Sequence, residues 1–197
     1  GLEMTFALGP RATPTADGAF VYVLGAMGNL LALNVQDGSI AWQKNFVDDY
    51  AATIPSWGAT GAPLVDGDRL IALVGGEPDA KVIASDKRTG EELWRALSSD
   101  WEPGYSQPII VEAGGARQVM IWHPTAISSL DPATGRVLWE VPFQVDLGMT
   151  VPTLVQSGPH LLVTTFYNGA RMLKLDEHKP GATLLWRGDS FAPHSII

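Results

Sequence analysis

Two short acidic stretches, each close to aromatic residues, are the parts of this sequence whose residue types come nearest to a chemical site. One contains Asp48 and Asp49, the other contains Asp100 and Glu102, and the neighbouring aromatic residues are Tyr50, Trp57, Trp101 and Tyr105. Because Ca²⁺ takes several carboxylate oxygens at once, either pair could supply calcium ligands. The alternative is a solvated acidic loop on an acidic protein. We favour that alternative and predict no metal site.

The other reactive side chains do not form a catalytic set. His123 follows Trp122 and His194 follows Pro193, and we interpret both histidines as structural or surface residues. The absence of cysteine excludes disulfides, thiolate metal ligands and cysteine nucleophiles. The sequence also lacks a glycine-rich phosphate loop, a serine nucleophile motif and zinc-ligand spacing. We therefore predict no catalytic residue.

The composition is typical of a globular protein that does not bind nucleic acid. The chain has 197 residues, of which 46% are hydrophobic, so that it can bury a sizeable core. Its net charge is −8, and its 13 basic residues are scattered, whereas a nucleic-acid or anionic-membrane surface needs clustered Lys and Arg. No apolar run approaches the roughly 20 residues of a membrane span. We expect neither a nucleic-acid partner nor a membrane span.

A repeat organises the chain. Tryptophans that follow Gly-containing turns recur 45 to 52 residues apart, at Trp42, Trp94, Trp139 and Trp186. A proline followed by small or apolar residues recurs 41 to 49 residues apart, at Pro14, Pro63, Pro108, Pro152 and Pro193. Two independent markers with one period indicate a repeat architecture.

Each repeat has the pattern of four short strands. Val, Ile, Tyr, Phe and Trp are enriched between turns rich in Gly, Asp and Asn, as strands and hairpins require. Four-stranded units with a period of roughly 40 to 50 residues are typical of β-propeller blades. The sequence predicts one all-β domain over residues 1–197, with antiparallel blades at approximately 11–46, 59–98, 105–143 and 149–188 and the start of a fifth at 191–197.

The segment LDPATGRVLWE, Leu130 to Glu140, indicates what forms the last hairpin of each repeat. The Asp131 side chain can accept hydrogen bonds from turn amides, and Gly135 can adopt the positive φ that closes the hairpin. Trp139 then supplies a large apolar surface with one N–H donor. Because tryptophan recurs at this place, we interpret it as packing between repeats rather than as a ligand contact.

This spacing resembles the tryptophan-docking motif of the β-propellers related to quinoprotein alcohol dehydrogenases, the PQQ-like family (PQQ is pyrroloquinoline quinone). The second repeat matches in full, with Ala84, Asp86, Gly90 and Trp94. The fourth repeat departs, because the intervals from Asp176 to Gly181 and from Gly181 to Trp186 are each one residue longer. That difference predicts a looser turn. The resemblance assigns docking roles to Trp42, Trp94, Trp139, Trp186, Asn34, Asp86, Asp131, Asp176, Gly38, Gly90, Gly135 and Gly181.

The family contains dehydrogenases that hold PQQ and calcium on the propeller axis, non-catalytic propellers such as the lipoprotein BamB, and sensor domains. The phrases GPRATPT, SWGATGAPL and GYSQPII resemble a BamB-like bacterial branch. The dehydrogenases imply a vicinal disulfide in many members and calcium ligands from Glu, Asn and Asp. Because this chain has no cysteine and no set that aligns with those ligands, we expect no cofactor. PQQ and calcium belong only to the alternative interpretation.

Three aromatic residues outside the repeat pattern are the candidate ligand-binding residues: Trp57, Trp101 and Tyr105. They lie between predicted blades, and loops between blades open on one face of a propeller, where ligands usually bind. The hypothesis is an aromatic surface with an acidic rim for a ligand or peptide. The alternative, which we favour, is that these side chains cover blade edges.

The resemblance implies a non-catalytic binding or scaffold module of the bacterial cell envelope, periplasmic or secreted. The alternatives are a fragment of a PQQ-dependent dehydrogenase and a sensor domain of a larger signalling protein. The last residues, FAPHSII from Phe191 to Ile197, have the proline of a first strand without the strands that would follow. We expect that the chain is part of a longer propeller or that two copies associate, and we favour the first.

Overall fold

Four antiparallel sheets of four strands follow one another along the chain, and in each sheet the strands lie in sequence order. The structure, a computed structural model, describes residues 10–98 and 100–188. Blade 1 contains β1 (Thr15–Asp17), β2 (Phe20–Leu24), β3 (Asn29–Asn34) and β4 (Ile40–Asn45). Blade 2 contains β5 (Leu64–Asp66), β6 (Arg69–Gly76), β7 (Ala80–Asp86) and β8 (Glu92–Ala96). Blade 3 contains β9 (Ile109–Ala113), β10 (Ala116–His123), β11 (Ala126–Leu130) and β12 (Val137–Pro142). Blade 4 contains β13 (Val155–Ser157), β14 (His160–Thr165), β15 (Gly169–Leu175) and β16 (Ala182–Arg187).

Helical structure is confined to two short connections within the described residues. The helix α1 (Phe46–Tyr50) joins blades 1 and 2, and a 3-10 turn (Asp146–Gly148) joins blades 3 and 4. The predicted all-β fold of propeller-type blades is confirmed. The start of a fifth blade, predicted at 191–197, lies outside the described residues. Among the helices of the described part of the chain, none is long and apolar enough to cross a membrane.

Every blade has a β-bulge immediately before the tryptophan of its last strand. The cross-strand partner of Trp94 is Ala84, while that of Glu92 is Ser85, so that Leu93 is the extra residue. The extra residues in the other blades are Ala41, Leu138 and Leu185. A bulge increases the local twist and redirects the side chain that follows it. The bulge therefore sets the direction of the tryptophan in each blade.

The fourth blade differs in register from the other three, a difference that goes beyond the looser turn expected from the sequence. Ala84, the cross-strand partner of Trp94, lies two residues before Asp86. Met172, the partner of Trp186, lies four residues before Asp176. The longer turn thus moves Trp186 further along its hairpin than the tryptophans of the other blades.

The described residues form two compact units, divided after Pro103. In the first unit, the core joins blades 1 and 2 through buried apolar residues that include Tyr22, Leu24, Leu30, Leu70, Ala72 and Ile83. In the second unit, the core joins blades 3 and 4 through residues that include Val111, Met120, Ile127, Leu161, Val163 and Leu173. A sheet must bury its apolar face against another element, and within each unit the neighbouring blade covers that face.

Candidate functional site

Trp42, at the bulge of β4, contacts the last turn of the next blade. Its Nε1 donates a hydrogen bond to the carbonyl oxygen of Lys87 over 3.1 Å. Its ring lies against Gly90, where an added Cβ atom would be 2.8 Å from the ring carbon Cδ2. Gly90 also has a φ of +77°, a conformation that glycine adopts without strain. The turn from Asp86 to Gly90 is therefore shaped to receive the tryptophan of the preceding blade.

Lys87 makes two further contacts with blade 1. Its carbonyl oxygen also accepts a hydrogen bond from the Tyr22 hydroxyl over 3.0 Å. Its Nζ pairs with the Asp17 carboxylate over 2.5 Å. Burial, with smaller contributions from the charges of Asp17 and Asp86, raises the pKa of Tyr22 to about 12. Tyr22 therefore remains a neutral donor at neutral pH, and this contact is structural.

The tryptophans of the other blades are placed differently. Trp139 donates to Gln118 Oε1 of its own blade over 2.7 Å, and Ser129 Oγ donates to the same oxygen over 2.7 Å. Trp94 is buried, with 7% of its surface exposed, whereas Trp186 is 46% exposed. The four residues share a strand position but not one set of partners.

The turn carboxylates act on backbone amides. Asp86 Oδ1 accepts from the amides of Arg88 and Thr89, and these bonds lower the pKa of Asp86. Asp176 accepts from the amides of His178 and Lys179, which lowers its pKa in the same way. Asp131 accepts from the amide of Ala133. In blade 1, Asn34 instead donates through Nδ2 to Ser39 Oγ over 2.8 Å. Gly38 and Gly135, at the corresponding turn positions, both have a positive φ. Gly181 does not adopt a positive φ of this kind.

Two of the candidate calcium ligands are engaged in local structure. Asp49 Oδ2 accepts from the Asn45 amide over 2.9 Å, while Asn45 Oδ1 accepts from the amides of Val47 and Asp48. This reciprocal pair caps the start of α1. Glu102 Oε1 accepts from the amide and hydroxyl of Ser56 over 3.0 and 2.8 Å.

The described residues hold no group of three or more His, Cys, Asp or Glu side chains placed to bind a metal ion. The calcium ligands implied by the resemblance to the quinoprotein dehydrogenases also include Asn, so this finding concerns carboxylate, imidazole and thiolate donors alone.

The three candidate ligand-binding aromatics differ in exposure. Trp57 is 39% and Trp101 is 47% exposed, whereas Tyr105 is 6% exposed. In the first unit, the bonds from Glu102 to Ser56 join the segment that carries Trp101 to the segment that carries Trp57. In the second unit, the Tyr105 amide donates to Thr150 Oγ1 over 3.2 Å. The two tryptophans thus have surface to offer a ligand, and Tyr105 has little.

His123 is a buried structural residue. Its Nε2 lies 2.8 Å from Ser128 Oγ, and its Nδ1 lies 3.1 Å from Thr125 Oγ1. Ser128 Oγ in turn donates to Glu140 over 2.8 Å. Burial lowers the pKa of His123, and the charge of Glu140 opposes that effect in part. Ser128 is fully buried and Glu140 is exposed, so this chain of bonds connects the interior of blade 3 with its surface.

Blade 4 contains a cationic cluster that the sequence spacing did not indicate. Arg171 lies over the ring of Phe143 with 3.9 Å between the guanidinium carbon and the ring centroid. Arg187 is its cross-strand partner. The two arginines are 16 residues apart in the sequence and Phe143 precedes blade 4, so only the strand register brings the three together.

Comparisons with known proteins agree with this architecture. A family model described as outer membrane protein assembly factor BamB matches residues 3–196. The quinoprotein alcohol dehydrogenase PedH of Pseudomonas putida is 28% identical over 149 residues, which are 68% of this chain and 23% of that protein. The structure of BamB from Moraxella catarrhalis has a TM-score of 0.62 at 17% identity, over 90% of this chain and 50% of that one. The quinohemoprotein alcohol dehydrogenase of Comamonas testosteroni has a TM-score of 0.58 at 18% identity, over 85% of this chain and 34% of that one.

The chain thus spans half or less of the length of each of these proteins. At these identities the solved structures show the fold, while the family model covers nearly the whole sequence. The resemblance that the turn spacing indicated is confirmed. The chain belongs to the PQQ-like β-propeller family that is described as outer membrane protein assembly factor BamB.

Proposed function

We propose that this chain is a non-catalytic binding or scaffold module of the bacterial cell envelope, in the periplasm or secreted. The family model and the Moraxella catarrhalis structure, both described as BamB, support this assignment. In it Trp42 has a docking role, since it joins blade 1 to the turn at Lys87 of blade 2. In this proposal, the binding partner contacts surfaces formed by the blades.

The proposal rests mainly on the hydrogen bonds that the loop carboxylates accept. The carboxylates of Asp49 and Glu102 accept hydrogen bonds from the amides of Asn45 and Ser56. These bonds hold the loops in place. Those same loops present Trp57 and Trp101 with large exposed fractions. Exposed aromatic side chains on well-anchored loops are enriched in protein-binding surfaces. The geometry is that of a rigid support for a contact surface.

Binding is tested by presenting the chain, immobilised, to detergent-solubilised bacterial envelope proteins and comparing variants. We expect Trp57→Ala and Trp101→Ala to reduce the retained proteins and to leave the melting temperature unchanged. Leu93→Ala is the matched control, because Leu93 is also exposed and apolar but lies on a strand of blade 2. Equal retention by all variants, or a lower melting temperature for the tryptophan variants alone, would count against the binding surface.

A PQQ-dependent dehydrogenase is the second candidate, and the similarity to PedH favours it. It is tested by incubating the chain with PQQ and Ca²⁺, removing free quinone on a desalting column, and recording the quinone absorbance and dye-linked alcohol oxidation. The scaffold proposal expects neither signal. Quinone that stays bound and supports alcohol oxidation would establish the enzyme instead.

A further inference from the structure

Arg171 and Arg187 lie directly opposite each other on β15 and β16. Residues in that relation on antiparallel strands have their side chains on the same face of the sheet, where like charges oppose folding. Burial lowers the pKa of Arg171, and the charge of Arg187 lowers it further. Two like-charged side chains therefore share one face of the sheet at an electrostatic cost.

Aromatic residues fix the position of Arg171. Its guanidinium lies over the Phe143 ring, and that ring stacks on Trp122 with centroids 5.8 Å apart and planes at 27°. Both aromatic side chains are buried. A guanidinium stacked by one face keeps its in-plane N–H donors available at its edge. One of them, on Nε, is buried without a hydrogen-bond partner.

Neither arginine is paired with an acid in the part of the chain that the structure describes. Several other basic side chains there have carboxylate partners, as in the pairs Lys81–Glu77, Lys87–Asp17, Arg95–Glu92 and Arg117–Glu112. No such pair, and no hydrogen bond from a side-chain nitrogen, is present for Arg171 or Arg187 within the described residues. The sequence has 21 acidic and 13 basic residues, so a shortage of acids does not explain two adjacent unpaired arginines.

We propose that Arg171 and Arg187 form a binding site for an oxyanion, a carboxylate or phosphate group with two or more acceptor oxygens. Paired guanidinium groups match the geometry of such groups through bidentate hydrogen bonds. A bound anion neutralises the repulsion between the two side chains and supplies the missing acceptors. Phe143 is the positioning residue, because it sets the plane of the Arg171 donors. The site goes beyond the proposed scaffold function and does not depend on it.

The test is titration of the 197-residue chain with sodium succinate and, separately, with inorganic phosphate, at constant ionic strength maintained with NaCl. Calorimetry and the melting temperature are the readouts. We expect saturable binding of at least one anion, and the tighter of the two identifies the carboxylate or the phosphate as the preferred group. Arg187→Gln should weaken that binding about tenfold or more, since it removes charge-assisted hydrogen bonds. Because Arg187 is exposed and its charge opposes that of Arg171, its variant should not lower the melting temperature of the free protein.

Two further variants make the result specific. Arg136→Gln removes an exposed arginine from a turn of blade 3 in the same unit, and its affinity should equal that of the unaltered chain. Arg171→Lys keeps the charge but loses the planar fork over Phe143, and it should weaken binding as Arg187→Gln does. The proposal is overturned if neither anion saturates, if Arg136→Gln loses as much affinity as Arg187→Gln, or if Arg171→Lys binds as well as the unaltered chain.

Discussion

Gly90 shows how a single position can serve both a turn and a contact between blades. Its φ of +77° is nearly matched by Gly38, at the corresponding turn of blade 1, with a φ of +72°. A Cβ atom at Gly38 would meet nothing within 4 Å, whereas one at Gly90 would press on the Trp42 ring. A comparison of substitutions at the two glycines therefore separates the energetic cost of backbone strain from that of disturbed packing.

We expect Gly90→Ala to lower the free energy of unfolding by more than Gly38→Ala does. Both variants place a side chain at positive φ, which costs about 1 kcal/mol. Only the first also displaces Trp42, with an added cost of roughly 1 to 3 kcal/mol. Urea denaturation followed by tryptophan fluorescence measures both. Equal losses in the two variants would mean that Trp42 moves aside without cost.

His123 gives the stability a pH dependence whose sign follows from its burial. Its pKa is lower in the folded chain than the unfolded value of about 6.5. The contribution of the neutral imidazole is fully present above about pH 6.5 and is lost as the pH falls below that value, because the unfolded chain takes up the proton first.

His123→Gln should therefore flatten the decline in unfolding free energy between about pH 7 and pH 5. His160→Gln is the control, since His160 is exposed in the same unit and its removal should leave the slope unchanged. Denaturant titrations at several pH values supply the slopes. If the two variants decline as steeply as the unaltered chain, His123 is not the group responsible.

At the scale of the element, the last hairpin of each blade is where the sequence was most informative. The spacing of Asp86, Gly90 and Trp94 predicted a closed turn, and the longer intervals in the fourth repeat indicated that this hairpin differs, although not that Trp186 is shifted along it. The partners of the tryptophans could not be predicted. Lys87 accepts hydrogen bonds from residues 45 and 65 positions away, and no local pattern reports contacts across such separations.

The loops between blades were less predictable for a physical reason. Trp57, Trp101 and Tyr105 all lie between blades, yet among these three the structure buries only Tyr105. Exposure there depends on which segment passes over the ring, and the sequence pattern contains no information on that. The proposed binding role of Trp57 and Trp101 stays a prediction.

The helix α1 allows the calcium and capping roles of its acidic residues to be separated. Asp49→Ala should lower the free energy of unfolding by about 0.5 to 2 kcal/mol, because it removes one half of the cap with Asn45. Asp48→Ala should cost less, since the structure gives that carboxylate no hydrogen bond within the described residues. Melting curves recorded with and without Ca²⁺ provide the measurement. A rise in melting temperature with Ca²⁺ that Asp48→Ala abolishes would restore the calcium interpretation.

At the scale of the whole molecule, charge is unevenly divided along the chain. Residues 1–103 contain 14 acidic and 7 basic side chains, and residues 104–197 contain 7 acidic and 6 basic ones. The first unit repels anions, whereas the nearly neutral second unit contains the Arg171 and Arg187 pair. We therefore expect the first unit to oppose anion binding more strongly than the second unit does.

Blade 4 also presents an apolar row across its strands. Val155, Leu162, Met172 and Trp186 are successive cross-strand partners, and Val155 and Trp186 at its ends are exposed. Exposed apolar patches favour association. We expect the 197-residue chain to self-associate in a concentration-dependent way, as light scattering over a dilution series would show.

Trp186→Lys should weaken that association, whereas Leu93→Lys, at an exposed apolar position of blade 2, should not. A monomer that persists at all concentrations would contradict the prediction. Similar weakening by both variants would indicate general solubility rather than this row.

The contact between Trp42 and Lys87 has a consequence for synthesis on the ribosome. Translation delivers Trp42 first and its acceptor 45 residues later, and chains acquire structure from the N-terminus onward as they emerge. Blade 1 contains three aromatic side chains that lie close together, Phe20, Tyr22 and Trp42. They therefore remain without their covering turn while blade 2 is being synthesised. During that interval the nascent chain exposes an apolar surface, and slow translation of residues 46–90 would prolong that exposure.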